Sequence, residues 1–495
     1  MKSLKRALGL YATTALVIGS VVGSGIFSSP SQMARDLPSA PYLMGVWVLA
    51  GVLTLFGAFT QCELVGQMPK TGGLYEYFRE VYGEGLGFLY GWANLMIAGS
   101  GAIAAISFFF AQYFENFIAL PHFTHALTSL GLSETTPWNI PLLGAIYPYQ
   151  FLGRKIVAAG LVVFLTALNV RGVKLGGTLQ SISTTAKLLA ILAIVVVAFM
   201  AGGHVGSTSH WSSATSTLSG WTLFGAVALA MSGAFWSYDG WGNAAYIADE
   251  VREPKRTIPK AIILGTLTFI TVYFVVNLAY FYILSVEGVA NAPGDRVASQ
   301  MMFAVVGASG AGVIALLMML SAFDTTNSSV LTNARVYYAM ARNQLFYRPA
   351  ATVHPKFQTP HVALILQGVW SIVLLVTGSF DLITSMYVFV NWVLYVLMAV
   401  AVFVLRARSA KMAEPRDRPF SVPGYPYVPA IFILFASAYV IITLVSDIQA
   451  YNAGTQPLIH SVTGLVLVLT GLPFYFFWRT KRRALNSERD SRSGS

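Results

Sequence analysis

Twelve stretches of mostly apolar residues, each about as long as a bilayer crossing, divide the chain. A helix needs about 20 apolar residues to cross about 30 Å of hydrocarbon. The stretches run at roughly 10–36, 42–66, 85–115, 153–170, 176–201, 219–248, 259–285, 299–328, 361–378, 382–406, 427–446 and 458–479, and are numbered here as segments 1 to 12. Lipid cannot satisfy free backbone amides and carbonyls, so helices are the expected solution. Composition agrees: 56% of the residues are hydrophobic and 10% are charged, against about 25% charged in soluble domains. No Gly/Ser or Pro linker splits the chain. The sequence therefore predicts an all-α membrane protein with a short N-terminus at 1–9, one transmembrane domain at 10–480, and a charged, Ser-rich tail at 481–495 expected to be disordered. Segment 1 continues past Phe27 without an A-x-A-like cleavage site, so it reads as a crossing and not as a signal peptide.

An even number of crossings places both termini on one side. The face that carries them receives 26 of the 31 Lys and Arg residues, whereas the opposite face receives Arg35, Arg154, Lys155 and Arg296. Basic loops stay cytoplasmic, so both termini are expected in the cytoplasm, with the protein in the plasma (inner) membrane. The same asymmetry accounts for the net charge of +11. Basic loops facing anionic headgroups explain it, and no nucleic-acid partner is needed.

Two segments contain polar, glycine-rich interruptions. Segment 1 carries Gly19-Ser20-Val21-Val22-Gly23-Ser24-Gly25-Ile26-Phe27; segment 6, five segments later, carries Ser237-Tyr238-Asp239-Gly240-Trp241-Gly242-Asn243. Gly-interrupted segments at corresponding positions of two halves mark discontinuous helices in transporters built from inverted repeats. Unwinding frees amides at one helix end and carbonyls at the other. Freed amides at a positive dipole end suit a carboxylate, and freed carbonyls suit an ammonium. A zwitterion would use both. A small-residue packing motif is the other reading of Gly23, Ser24 and Gly25; the matching interruption in segment 6 favours unwinding.

These residues resemble the amino acid–polyamine–organocation (APC) superfamily, and within it bacterial relatives of the L-type amino-acid transporters. The resemblance runs from segment 1 to segment 11. It rests on Gly23-Ser24-Gly25-Ile26-Phe27; Cys62-Glu63-Leu64 with Pro69, Gly72-Gly73, Tyr75 and Tyr77; Tyr238-Asp239-Gly240-Trp241 with Glu250, Pro254, Arg256 and Pro259; Asn277-Leu278-Ala279-Tyr280-Phe281; His354-Pro355 with Thr359-Pro360; and Asn391-Trp392. It implies a LeuT-type fold of twelve helices, with 5+5 inverted repeats at about 10–201 and 219–406 and extra helices at about 427–446 and 458–479. It also implies that a substrate carboxylate sits on the amides around Gly23, Ser24 and Gly25, and its ammonium near the carbonyls of Val21, Trp236, Ser237 and Asp239. Trp236 matches the gating aromatic, and Trp392 the side-chain end of the pocket. Val21, Val22, Ile26 and Trp236 give the pocket an apolar lining. Asp239 departs from the eukaryotic members, which usually have Gly. It either tunes amine preference, or titrates, or points away as a helix-end cap. Those members also bond a helper glycoprotein through an outer-loop cysteine. The one cysteine here is Cys62, inside segment 2, so no disulfide-linked helper is expected.

Lys187 lies midway along segment 5, where a charge is costly by about 3 kcal/mol or more. One reading is a strut satisfied by carbonyls. The resemblance offers another. In sodium-coupled relatives a cation bridges segments 1, 5 and 8, and sodium-independent relatives have a lysine at this place. Lys187 would then replace the coupling ion. Asp324, in segment 8, is expected to line the aqueous path, contact Lys187 or serve as interhelical glue. Glu63, Asp249 and Glu250 are expected at the termini-side gate, and Glu115 at the opposite edge.

Enzyme chemistry has no foothold. None of the seven histidines lies deep in a segment, and no metal-spaced His/Cys/Asp cluster, GxSxG or Walker loop appears. No metal or other cofactor is expected. No pore-loop or ring motif suggests a channel. The expected function is sodium-independent transport of neutral L-amino acids by alternating access, with exchange the favoured mode. A proton-coupled symporter and a polyamine or amine antiporter are the alternatives.

Overall fold

The computed structural model describes residues 4, 6–140, 144–214, 218–377, 380–412, 417–454, 456 and 458–493. Ten of its helices are long and apolar enough to cross a membrane. They realise segments 1–5, 7, 8 and 10–12. Segments 6 and 9 form the helices Gly220–Tyr238 and His361–Thr377, which are not among the ten; the second has 17 residues. One short antiparallel strand pair, Trp138–Ile140 with Gly144–Ile146, departs from the expected all-α architecture.

Both interruptions are breaks. Segment 1 is two helices, Leu10–Val21 and Gly25–Asp36. In segment 6, Gly220–Tyr238 stops at Asp239, which is extended (φ −77°, ψ 157°). Gly240 then turns at φ +101°, and a 3-10 run continues through Trp241–Glu250. The breaks interlock through their glycines. A Cβ on Gly240 would sit 2.8 Å from the Ser20 carbonyl oxygen, and one on Gly25 would sit 2.6 Å from Ser237 Cα. Each break thus presses bare backbone on the other, which only glycine permits.

Burial grades outward from this centre. The most apolar window of Leu10–Asp36 is 78% buried and that of Glu84–Phe114 is 83% buried; Tyr427–Asn452 and His460–Arg483 reach only 22% and 28%. The last two helices therefore sit at the rim. Exposed Leu189, Leu192, Val196 and Met200 of segment 5 form an apolar outer surface suited to lipid.

Three elements differ from the sequence reading. Segment 8 runs Ala308–Arg342, not 299–328, because Gly307 (φ +71°) ends a separate helix, Val297–Val306. Its far half carries a polar run that is buried against other helices, so hydropathy underestimates its length. Segment 3 contains a π-helical turn, Asn94–Ala98. The tail continues as helix Gly471–Ser493 where composition predicts no structure, with Arg482 anchored 2.6 Å from Glu84.

Candidate functional site

A cavity of about 60 Å³ lies between the two breaks. Of the residues singled out in sequence, Val21, Gly23, Ser24, Gly25, Trp236 and Asp239 line it. Ser24 and Gly25 stand at the start of the helix Gly25–Asp36, whose leading amides have no partner within the helix. That end can receive an anionic group.

The carbonyl side is arranged differently from expectation. The Tyr273 hydroxyl lies 2.9 Å from both the Val21 and the Ser237 carbonyl oxygens. Two of the four carbonyls expected to meet an ammonium are thus bridged by a buried tyrosine. Ser237 lies behind Gly25 and Ile26 is fully buried; neither lines the cavity. Trp392 does not reach it either. Its ring packs on Phe235, with centroids 3.9 Å apart, and edges against Tyr439. Trp236 does line the cavity, with the Tyr387 ring edge-on at 5.5 Å.

Asp239 is held by segment 10, the helix Phe380–Ser409. Its carboxylate accepts hydrogen bonds from Tyr387, from Asn391 Nδ2 (3.1 Å) and from Tyr395 (2.5 Å). Spacing of four residues puts all three donors on one helix face. Of the three, only Asn391 figured in the sequence reading; the spacing of four puts the tyrosines on its face but does not by itself mark them as site residues.

The facing wall comes from segments 3 and 8. Asn94, in the π turn, donates to Asn333 Oδ1 at 3.2 Å and accepts from the Tyr337 hydroxyl at 2.7 Å. Thr325 and Ser329 complete it. A π turn aims side chains that a regular helix would direct elsewhere, and such turns recur at functional sites.

Lys187 lies next to the segment 1 break. Its Nζ donates to the Val22 carbonyl oxygen at 2.5 Å and is 2.7 Å from Asp324 Oδ2, and both side chains are fully buried. The Val22 carbonyl also accepts from the Ser321 hydroxyl at 2.9 Å. Asp324 accepts further from Gln180 (2.8 Å), Thr184 (2.9 Å) and Ser183. One ammonium therefore joins segments 1, 5 and 8, with its counter-charge fully hydrogen-bonded. Of the alternatives the sequence left for Asp324, contact with Lys187 and bonding between helices are both seen.

Toward the face bearing the termini, Glu250 and Arg335 form a fully buried pair at 3.0 Å. The Glu250 carbonyl accepts from the amides of Ala7 and Leu8, which ties the N-terminus to the end of segment 6. Glu63 pairs with Arg406 at 2.5 Å and Asp249 with Arg342 at 3.4 Å. At the opposite face Glu115 pairs with Arg154 at 2.6 Å. Among the described residues no cluster of His, Cys, Asp or Glu could hold a metal.

Comparison with known proteins bears on what this arrangement serves. The family model described as "Amino acid permease" matches residues 8–469. The serine/threonine exchanger SteT of Bacillus subtilis is 31% identical, covering 97% of this chain and 98% of its own. The human b(0,+)-type amino acid transporter 1 is 26% identical over 96% of this chain and 88% of its own. The mouse large neutral amino acids transporter small subunit 2 is 27% identical over 98% and 83%. With a family match over nearly its whole length and relatives that are transporters, not enzymes, this chain belongs to the amino acid permease family of the APC superfamily, as an integral membrane amino-acid transporter.

Proposed function

We propose that the protein is a sodium-independent exchanger of small neutral L-amino acids. On this reading it works by alternating access on a twelve-helix, LeuT-type inverted repeat with both termini cytoplasmic. The observation that carries the proposal is the Lys187 ammonium, 2.5 Å from the Val22 carbonyl and 2.7 Å from Asp324. A fixed cation bridging segments 1, 5 and 8 does the work of a coupling ion there, so no sodium is required. The substrate carboxylate sits at the amides of Ser24 and Gly25, and Trp236 covers it. The ammonium lies near the backbone carbonyls of the lining residues Val21, Trp236 and Asp239, since a carbonyl oxygen keeps a second lone pair beside a hydrogen bond it already accepts. The small cavity supports small side chains. The name of the bacterial relative, a serine/threonine exchanger, supports both the substrate size and exchange.

The protein works without a disulfide-linked helper, since Cys62 is the one cysteine and is buried. The test is uptake of radiolabelled L-serine into proteoliposomes at equal ion concentrations on both sides. Uptake that requires internal serine supports exchange; equal uptake into empty vesicles counts against it. A proton-coupled symporter is the second reading, favoured by the buried Lys187–Asp324 pair. An acidic exterior driving uptake into empty vesicles would support it.

A further inference from the structure

We infer that Tyr387, Asn391 and Tyr395 determine substrate charge by occupying Asp239. The inference rests on reading the cavity as the amino-acid site. Among the described residues lining the cavity, Asp239 is the one carboxylate, and no Lys, Arg or His accompanies it. A bare carboxylate in such a place would attract a second ammonium or a guanidinium. A hydrogen bond between charged partners is about twice as strong as a neutral one, and burial removes competition from water.

This carboxylate is not bare. A carboxylate offers about four lone-pair sites. Oδ2 accepts from Tyr387 and from Asn391 at 3.1 Å, Oδ1 accepts from Tyr395 at 2.5 Å, and the Gly240 amide adds a fourth donor. All four donors are neutral. Three come from one face of a single helix, so one rigid element fills three of the acid's four hydrogen-bonding places and the Gly240 amide fills the last. A cationic side chain entering the cavity must displace a donor and leave a buried hydroxyl or amide unpaired. A neutral side chain meets no such penalty. The selectivity for neutral amino acids therefore lies in the ring of donors around Asp239, and removing one donor opens a place for a cation.

The test compares radiolabelled L-serine and L-lysine uptake by the reconstituted full chain and its Y387F and Y395F variants. Loss of either hydroxyl is expected to raise the lysine-to-serine ratio by roughly ten- to a hundredfold, the worth of one hydrogen bond to a charged group. Adding D239N to either variant is expected to abolish the gain. A tyrosine variant that still carries serine yet excludes lysine overturns the inference, as does lysine uptake that survives D239N. Where a variant no longer carries serine, direct binding of radiolabelled lysine to the purified protein replaces uptake, and absence of binding overturns it equally. Lysine uptake by the unaltered protein matching its serine uptake also overturns it. If the unaltered protein takes up neither amino acid, the cavity reading falls and this inference with it.

Discussion

Lys187 Nζ lies 2.5 Å from the carbonyl oxygen of Val22, so a charge fixed in segment 5 is seated on the one stretch of segment 1 that is not helical. The break and the buried ammonium account for each other. A helical carbonyl at Val22 would be engaged in the backbone ladder; unwinding leaves it free to accept. The ammonium would have no acceptor on segment 1 without the break, and Asp324 would lack its counter-charge.

Replacing Lys187 with Met leaves Asp324 buried without its partner. Loss of one member of a buried pair costs about 3–5 kcal/mol. Thermal unfolding in detergent should fall accordingly, and serine uptake should be lost. Adding D324L removes the orphaned charge. The double variant is expected to regain much of the stability without regaining transport, since the link to Val22 stays absent.

Gly240→Ala tests the interlocked breaks. Residue 240 sits at φ +101°, and an added Cβ would meet the Ser20 carbonyl at 2.8 Å. The strain is about 1–3 kcal/mol, and relieving it separates the breaks, so uptake should fall at least tenfold. Gly160→Ala, where nothing lies within 4 Å of the new Cβ, should leave uptake unchanged.

Tyr273→Phe removes the hydroxyl between the Val21 and Ser237 carbonyls while keeping the ring. The two breaks lose a shared donor, and two buried carbonyls lose a partner. The hydroxyl has one proton, shared between the two carbonyls; at about 1–1.4 kcal/mol for its loss, the KM for serine should rise roughly five- to tenfold. Unchanged serine kinetics would show that the bridge does not organise the site.

Arg335→Met leaves Glu250 alone in the interior, whereas E250Q keeps a hydrogen-bond acceptor for the guanidinium. Each orphans one buried charge and should cost about 3–5 kcal/mol, whereas the double variant R335M/E250L removes both charges and should regain most of the loss. Thermal unfolding of the three purified variants checks the pattern.

Much of the site was legible in the sequence because a polar residue in an apolar helix has few places to go. The runs at Gly23-Ser24-Gly25 and Asp239-Gly240, and the one charge inside segment 5, Lys187, stand out in their apolar segments, and the structure brings all of them to the centre. Tyr273, Tyr387 and Tyr395 were not legible as site residues. A tyrosine in a membrane helix serves as an anchor, a packing ring or a donor with equal ease, and only the folded neighbours decide which. Trp392 shows the same limit from the other side: its motif was visible, yet its ring joins Phe235 and Tyr439 behind the cavity. The polar run from Asp324 to Asn333 hid the true end of its helix, since hydropathy cannot distinguish residues that face water from residues that face other helices. The π turn at Asn94 leaves no compositional mark at all.

The most direct test of the central claim is serine exchange by the reconstituted protein with sodium replaced throughout by choline, internal serine held constant. If the Lys187 ammonium does the work of a coupling cation, the rates in sodium and choline are the same, and an imposed sodium gradient changes neither rate nor final accumulation. Uptake that rises with an inward sodium gradient would contradict the account.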